Sequence, residues 1–195
     1  MDLLALSSLA FVGSITPGPN NVMLWASGLN HGLRRTLPHV FGIWIGFASL
    51  LLAVGVGLGA VVNGVPAVGW LLRLAGSAYL LYLAYRVATS GPAGRGGSEH
   101  PPLTLWQAAA FQYANPKAWV LGITAAAIAN LEPGRLGASV ALYVGVFAAI
   151  NLPCILVWAG AGTAVGRILA SERRLIIINR VLGLLLAASV VLIVL

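Results

Sequence analysis

The chain has 195 residues, of which 59% are hydrophobic and only 8% charged, and its mean hydropathy is +0.95. An ordinary soluble domain carries roughly 25% charged residues, so a soluble fold is excluded. A net charge of +7 would point to nucleic acid in a soluble protein. Here the basic residues sit between apolar stretches, so they read as membrane topology, and no nucleic-acid partner is expected.

Uncharged runs from Leu3 to Leu33, Thr36 to Leu72 and Leu136 to Gly166 exceed the ~20 residues that a bilayer helix needs. Charges, Gly/Pro clusters and span length predict six transmembrane helices: Leu4 to Ser27, Pro38 to Val62, Val68 to Ala88, Leu103 to Asn130, Leu136 to Gly162 and Leu175 to Leu195. The fold class is an all-α polytopic membrane protein, with the lipid bilayer as its surroundings. Met1-Asp2 supplies no basic region before the first span, which reads as a retained helix and not a signal peptide. Arg73 and Arg180, near the starts of the third and sixth helices, read as anchors snorkelling to the headgroups. His31 and His39, at the start of the second span, read as surface groups.

The connections after the first, third and fifth helices hold Arg34 and Arg35, then Arg86 and Arg95, then Arg167, Arg173 and Arg174. Those after the second and fourth hold only Arg135. The positive-inside rule puts the Arg-bearing loops in the cytoplasm and both termini outside. Ser90 to Pro102, rich in Gly and Pro, reads as a linker between residues 1–89 and 103–195 of one transporter domain. Three spans per half invert the second relative to the first. Pro19-Asn20 corresponds to Pro116-Lys117, and Arg73-Leu74-Ala75-Gly76 to Arg180-Val181-Leu182-Gly183. The expectation is two inverted three-helix repeats, a mark of many secondary transporters.

The most informative segment is Ser14-Ile15-Thr16-Pro17-Gly18-Pro19-Asn20-Asn21. Two prolines delete backbone donors and Gly18 frees the backbone, so the first helix should unwind there and restart toward Ser27. Asn115-Pro116 is the same device in the fourth span. Each break lies about 13 residues, roughly 20 Å, into its span, near mid-membrane. Half-helix N-termini there attract a carboxylate, and Lys117 adds a full charge.

The candidate substrate-binding residues are therefore Thr16, Pro17, Gly18, Pro19, Asn20, Asn21, Asn115, Pro116, Lys117 and Asn151. Asn20, Asn21 and Asn151 suit either a substrate amino group or irregular backbone. Tyr79 and Tyr82 read as packing aromatics. The four acids, Asp2, Glu99, Glu132 and Glu172, all fall at span ends or in loops. A cation or divalent metal calls for buried acids, so a neutral amino acid is favoured, with no metal and no cofactor. The single cysteine, Cys154, precludes an intramolecular disulfide. No nucleophile–base pair is evident, so an enzyme is not expected.

These residues resemble the LysE/RhtB-type amino-acid exporters of bacteria. The resemblance rests on Thr16-Pro17-Gly18-Pro19-Asn20, His31-Gly32 with Arg34, Gly76-Ser77-Ala78-Tyr79-Leu80, and Asn115-Pro116-Lys117-Ala118-Trp119. Thr16 to Asn21, Ala75 to Ser90, Leu105 to Thr124 and the spacing Asn151/Cys154/Ala159-Gly160 are similar to the cysteine/O-acetylserine exporter branch. The resemblance implies efflux of an amino acid or its derivative across a bacterial inner membrane. The expected mechanism is alternating access around the two breaks, and the alternative is a channel or inorganic-ion exporter of the same superfamily. Glycine-rich stretches such as Gly55-Val56-Gly57-Leu58-Gly59 permit close helix contact, within one protomer or in a homo-oligomer.

Overall fold

A computed structural model describes residues 2–59, 64–90, 100–129, 133–169 and 171–191. Among these residues the chain is all helical: α1 (Leu3–Ile15), α2 (Pro19–His31), α3 (Leu33–Gly55), α4 (Pro66–Ala88), α5 (Leu105–Ala114), α6 (Pro116–Ala129), α7 (Leu136–Ile168) and α8 (Glu172–Ala188), with a 3₁₀ turn at Pro133–Arg135. Leu33–Gly55, Ala67–Ala88 and Leu136–Ile168 are each long and apolar enough to cross a membrane. The first and fourth expected spans are each broken into two short helices. At 13 residues, α1 and α2 are each about 20 Å long, too short to span the hydrocarbon core alone.

Local chemistry explains most of the boundaries. The Asp2 carboxylate caps α1 by accepting from the amides of Leu4 and Ala5, both at 3.0 Å. Thr104 and Gln107 form a capping box at the start of α5. The second span starts at Leu33, five residues before the expected Pro38. Gly32, at φ 76°, turns the chain from α2 into α3 in one residue. Pro38 sits inside α3, where its missing N–H deprives only the carbonyl of exposed Arg34 in the first turn.

The helix at the sixth expected span likewise starts early. Glu172 suits the positive N-terminal end of α8, and Arg173 and Arg174 are good helix formers, so the helix begins at Glu172 and not Leu175. Arg180 consequently lies mid-helix and not in a first turn. Arg73, exposed on α4, sits with its guanidinium carbon 5.7 Å from the Trp70 ring. The expected ends at Val62, Asn130 and Leu195, most of the 90–102 linker, Arg95, Glu99 and Glu132 lie outside the described residues.

Packing joins elements distant in sequence. α7 runs along both α1 and α2, α3 runs along both α5 and α6, and α4 packs against α8. Close approach of α2 and α7 depends on glycine: a Cβ on Gly28 would collide with the carbonyl of Ala159, and one on Gly162 with the carbonyl of Trp25. The Gly55–Gly59 stretch has a different role. Gly57, at φ 110°, lies just past the end of α3 with open space around it, and Gly55 meets only side chains of Val140 and Tyr143.

Two apolar clusters fill the interior, one around Met23, Ile43, Phe111 and Ile155, the other around Leu6, Phe47, Tyr143 and Phe147. Phe11, Leu52, Leu71, Leu74, Val157 and Leu184 are exposed on several helices. An outer surface this apolar matches a hydrocarbon solvent. His39 corrects the surface assignment: it is buried, 2% exposed, on the inner face of α3 beside Val40 and Ile43.

Candidate functional site

The first break consists of Thr16, Pro17 and Gly18, and its exposed carbonyls are almost fully accounted for. Helix α1 leaves its last carbonyls without intrahelical donors, as any helix does. The Asn21 amide nitrogen donates to Ser14 O and Thr16 O, both at 2.8 Å. Trp158 Nε1 donates to Ile15 O at 3.0 Å. Thr16 Oγ1 donates back to Val12 O at 2.8 Å. Of the two roles open to Asn21 in the sequence, its amide therefore serves the irregular backbone.

Lys117 crosses from the second break to the first. Its ammonium donates to Thr16 Oγ1 at 2.9 Å and Thr16 O at 3.1 Å, with Pro17 O further off at 3.4 Å. It thus rests on the negative C-terminal end of α1. It also lies beside the start of α2, since a Cβ on Gly18 would stand 3.2 Å from Nζ.

The two half-helix N-termini differ. At α6 the Asn115 side-chain oxygen accepts from Lys117 N at 3.1 Å, and its carbonyl accepts from Ala118 N at 3.0 Å. Asn115 is thus an N-cap, and Trp119 Nε1 closes the other side of the break by donating to Tyr113 O at 2.8 Å. At α2 no side chain caps the first amides. The first bond there runs from Val22 N to Gly18 O, and Pro19 has no N–H to offer.

Asn20 faces the other break. It forms a reciprocal amide pair with Gln112, at 2.8 and 3.1 Å, and Gln112 also donates to Ala108 O. Asn151, from α7, donates to Ser14 Oγ at 3.0 Å, while its own side-chain oxygen is buried without a donor. Such an orphan acceptor is rare and calls for an explanation.

Gly18, Pro19, Asn20, Asn21, Asn115, Lys117 and Asn151 line one cleft with about 370 Å³ of empty space. Gly13, Ser14, Phe47, Ala118, Leu121 and Ile155 complete its wall, and no acid lines it among the described residues. Thr16 and Pro17 sit behind it, holding Lys117 through their oxygens. Pro116 starts α6 and has no part in the lining. Sequence reasoning missed Ser14, although a serine three residues before a Pro-Gly-Pro break in an apolar span is a signal for side-chain bonding at the break. Tyr79 packs on Phe111 and Tyr82 at ring-centre distances of 5.8 and 6.0 Å, consistent with a packing role.

The sequence profile of the LysE type translocators matches residues 11–194, which takes in both breaks and every residue named in the cleft wall. The chain belongs to the LysE type translocator family. It is 33% identical over 191 residues to the cysteine/O-acetylserine efflux protein of Escherichia coli strain K12, covering 94% of this chain and 93% of that protein. The proteins of that name from Shigella flexneri and Shigella sonnei match with the same identity and coverage. No solved structure matches. As a LysE type translocator the protein is a multi-pass membrane transporter of a small molecule and not an enzyme, and the family expectation of amino-acid export drawn from the motifs stands.

Proposed function

We propose that this LysE type translocator carries a neutral amino acid or amino-acid derivative out of the cytoplasm, by alternating access of residues 1–89 and 103–195 around the two breaks. The two halves are read as inverted three-helix repeats, joined by residues 90–102, in a bacterial inner membrane with both termini outside. The crossed packing supports this reading, because α3 of one half grips the broken span of the other and α7 does the reverse.

The observation that carries the proposal is the juxtaposition of an uncapped helix start, a lysine ammonium and an unpaired carboxamide oxygen in one acid-free cleft. A substrate carboxylate takes the free amides at the start of α2 and the Lys117 ammonium, in place of its long contact to Pro17 O. Its ammonium takes the side-chain oxygen of Asn151. The absence of acid disfavours a cationic side chain. Cysteine and O-acetylserine, named in the relatives, are neutral amino acids that fit this arrangement.

The test is counterflow of labelled O-acetylserine, cysteine, threonine, homoserine and leucine in proteoliposomes, with lysine and a metal ion as controls. Saturable exchange of a neutral amino acid in the wild type, abolished in Lys117→Ala protein that keeps its thermal stability, is the expected result. No exchange of any of them, or unchanged transport by the variant, would sink the reading.

A further inference from the structure

A second cavity, open on one side, lies at the other end of α2. Its wall includes Ser27, Asn30, His39 and Arg86. Ser27 and Asn30 lie roughly 10 and 15 Å further along α2 than Asn20, at 1.5 Å per residue. Between Asn20 and Ser27 the helix carries the buried apolar side chains of Val22, Met23, Leu24 and Ala26.

Most of the polar wall is already satisfied. Asn30 and Asn179 form a reciprocal amide pair at 2.8 Å each way, and Asn30 also donates to Ala26 O. Asn179 donates its remaining bond to Ser90 O at 3.0 Å. Thr36 Oγ1 gives its proton to Gly32 O, which leaves Ser27 Oγ to donate to Thr36 Oγ1 at 2.9 Å. The exception is His39, 2% exposed, with neither ring nitrogen bonded. A buried imidazole without partners is destabilising unless something supplies them.

The charge of the wall says what that something is. The titratable and charged side chains lining the cavity are His31, His39, His100 and Arg86, and no acid lines it among the described residues. Arg86 gives one donor to Pro101 O at 2.6 Å, out of the five a guanidinium carries. A neutral imidazole adds one donor and one acceptor. The complement is a small carboxylate that also bears a hydrogen-bond donor, which describes an α-amino acid.

We infer that this cavity is a second solute seat, held by the His39 imidazole and the Arg86 guanidinium, where a carboxylate-bearing amino acid pauses between the Arg-rich side and the broken helices. The identification of the solute rests on the proposed transport function, and the seat itself rests on His39 and its surroundings.

The experiment uses full-length protein in lipid nanodiscs, labelled with ¹⁵N-histidine, with the ring signals of His39 assigned by their loss in His39→Gln. Acetate and O-acetyl-L-serine are titrated in at constant ionic strength, with sodium chloride as the control. The expected result is a saturable shift of the His39 signals with both probes, absent with chloride and retained in Lys117→Ala. No shift, a shift shared with chloride, or a shift lost in Lys117→Ala would each overturn the second seat. In proteoliposomes, His39→Leu should raise the half-saturating concentration about tenfold, as expected for one lost hydrogen bond of about 1.4 kcal/mol. Loss of counterflow in the Lys117 test reports on the central cleft alone, because the His39 titration does not depend on transport.

Discussion

The Asn151 side chain lines the cleft, its nitrogen donating to Ser14 Oγ and its buried oxygen left without a donor. Asn151→Leu keeps the volume and removes the acceptor. Its half-saturating substrate concentration should rise about tenfold or more in counterflow, the consequence of losing one bond to a charged group worth roughly 1.5–3 kcal/mol. An unchanged value would remove Asn151 from the site. Lys117→Ala is expected to be more severe, because it deletes the only cation lining the cleft among the described residues.

At this scale the sequence was readable where a residue type has one physical use. Pro17, Gly18 and Pro19 disrupt a helix in any setting, and Asn115 before Pro116 is an N-cap pattern. It was misleading at His39, because a histidine five residues from Arg34 reads as part of a wet helix end. The turn at Gly32 rotates that face of α3 inward, and nothing local to His39 signals it. Asn179 was overlooked although it shares a buried stripe with Leu182, Gly183 and Leu186 on α8.

Among the helices, the two breaks are where local preference and membrane physics conflict. A continuous helix across Thr16 to Pro19 would satisfy its own backbone. The observed break instead needs donors from Asn21, Trp158 and Lys117, which arrive from α2, α7 and α6. Combining Pro17→Ala, Gly18→Ala and Pro19→Ala restores residues that favour helix. The variant should keep or raise its melting temperature while losing exchange at least tenfold, about 1.4 kcal/mol in the transport step. If exchange survives at the wild-type level with a continuous helix shown by hydrogen exchange, the break is only a kink. The ends of α3 and α8 were misjudged by three to five residues for a reason at the same scale. Pro38 reads as a start, yet a proline in a helix's exposed early turns deprives only a carbonyl that water can reach.

For the molecule as a whole, hydropathy and arginine placement carried the reading furthest. Composition alone identified a helical membrane protein, and the apolar outer surface agrees. Which helices pack together was not legible. Packing inside a bilayer depends on small residues and shape, and the glycines that bring α2 against α7 are no different in sequence from those ending α3. The expected orientation has a direct check. In a Cys154→Ala background, a cysteine placed at Ser98 in the linker should react with a membrane-impermeant maleimide only after the cytoplasmic face is opened. A cysteine placed at Asp2 should react in intact cells. The opposite pattern reverses the topology and with it the side on which the His39 cavity opens.

Lys117 has one more consequence, for how the two broken spans move. Its ammonium reaches from α6 to Thr16 at the end of α1, so one side chain ties the second break to the first. A carboxylate seated in the proposed site meets the same ammonium and the start of α2, so the bound solute adds a second tie across the same gap. Loaded, the two breaks are then expected to move as one unit.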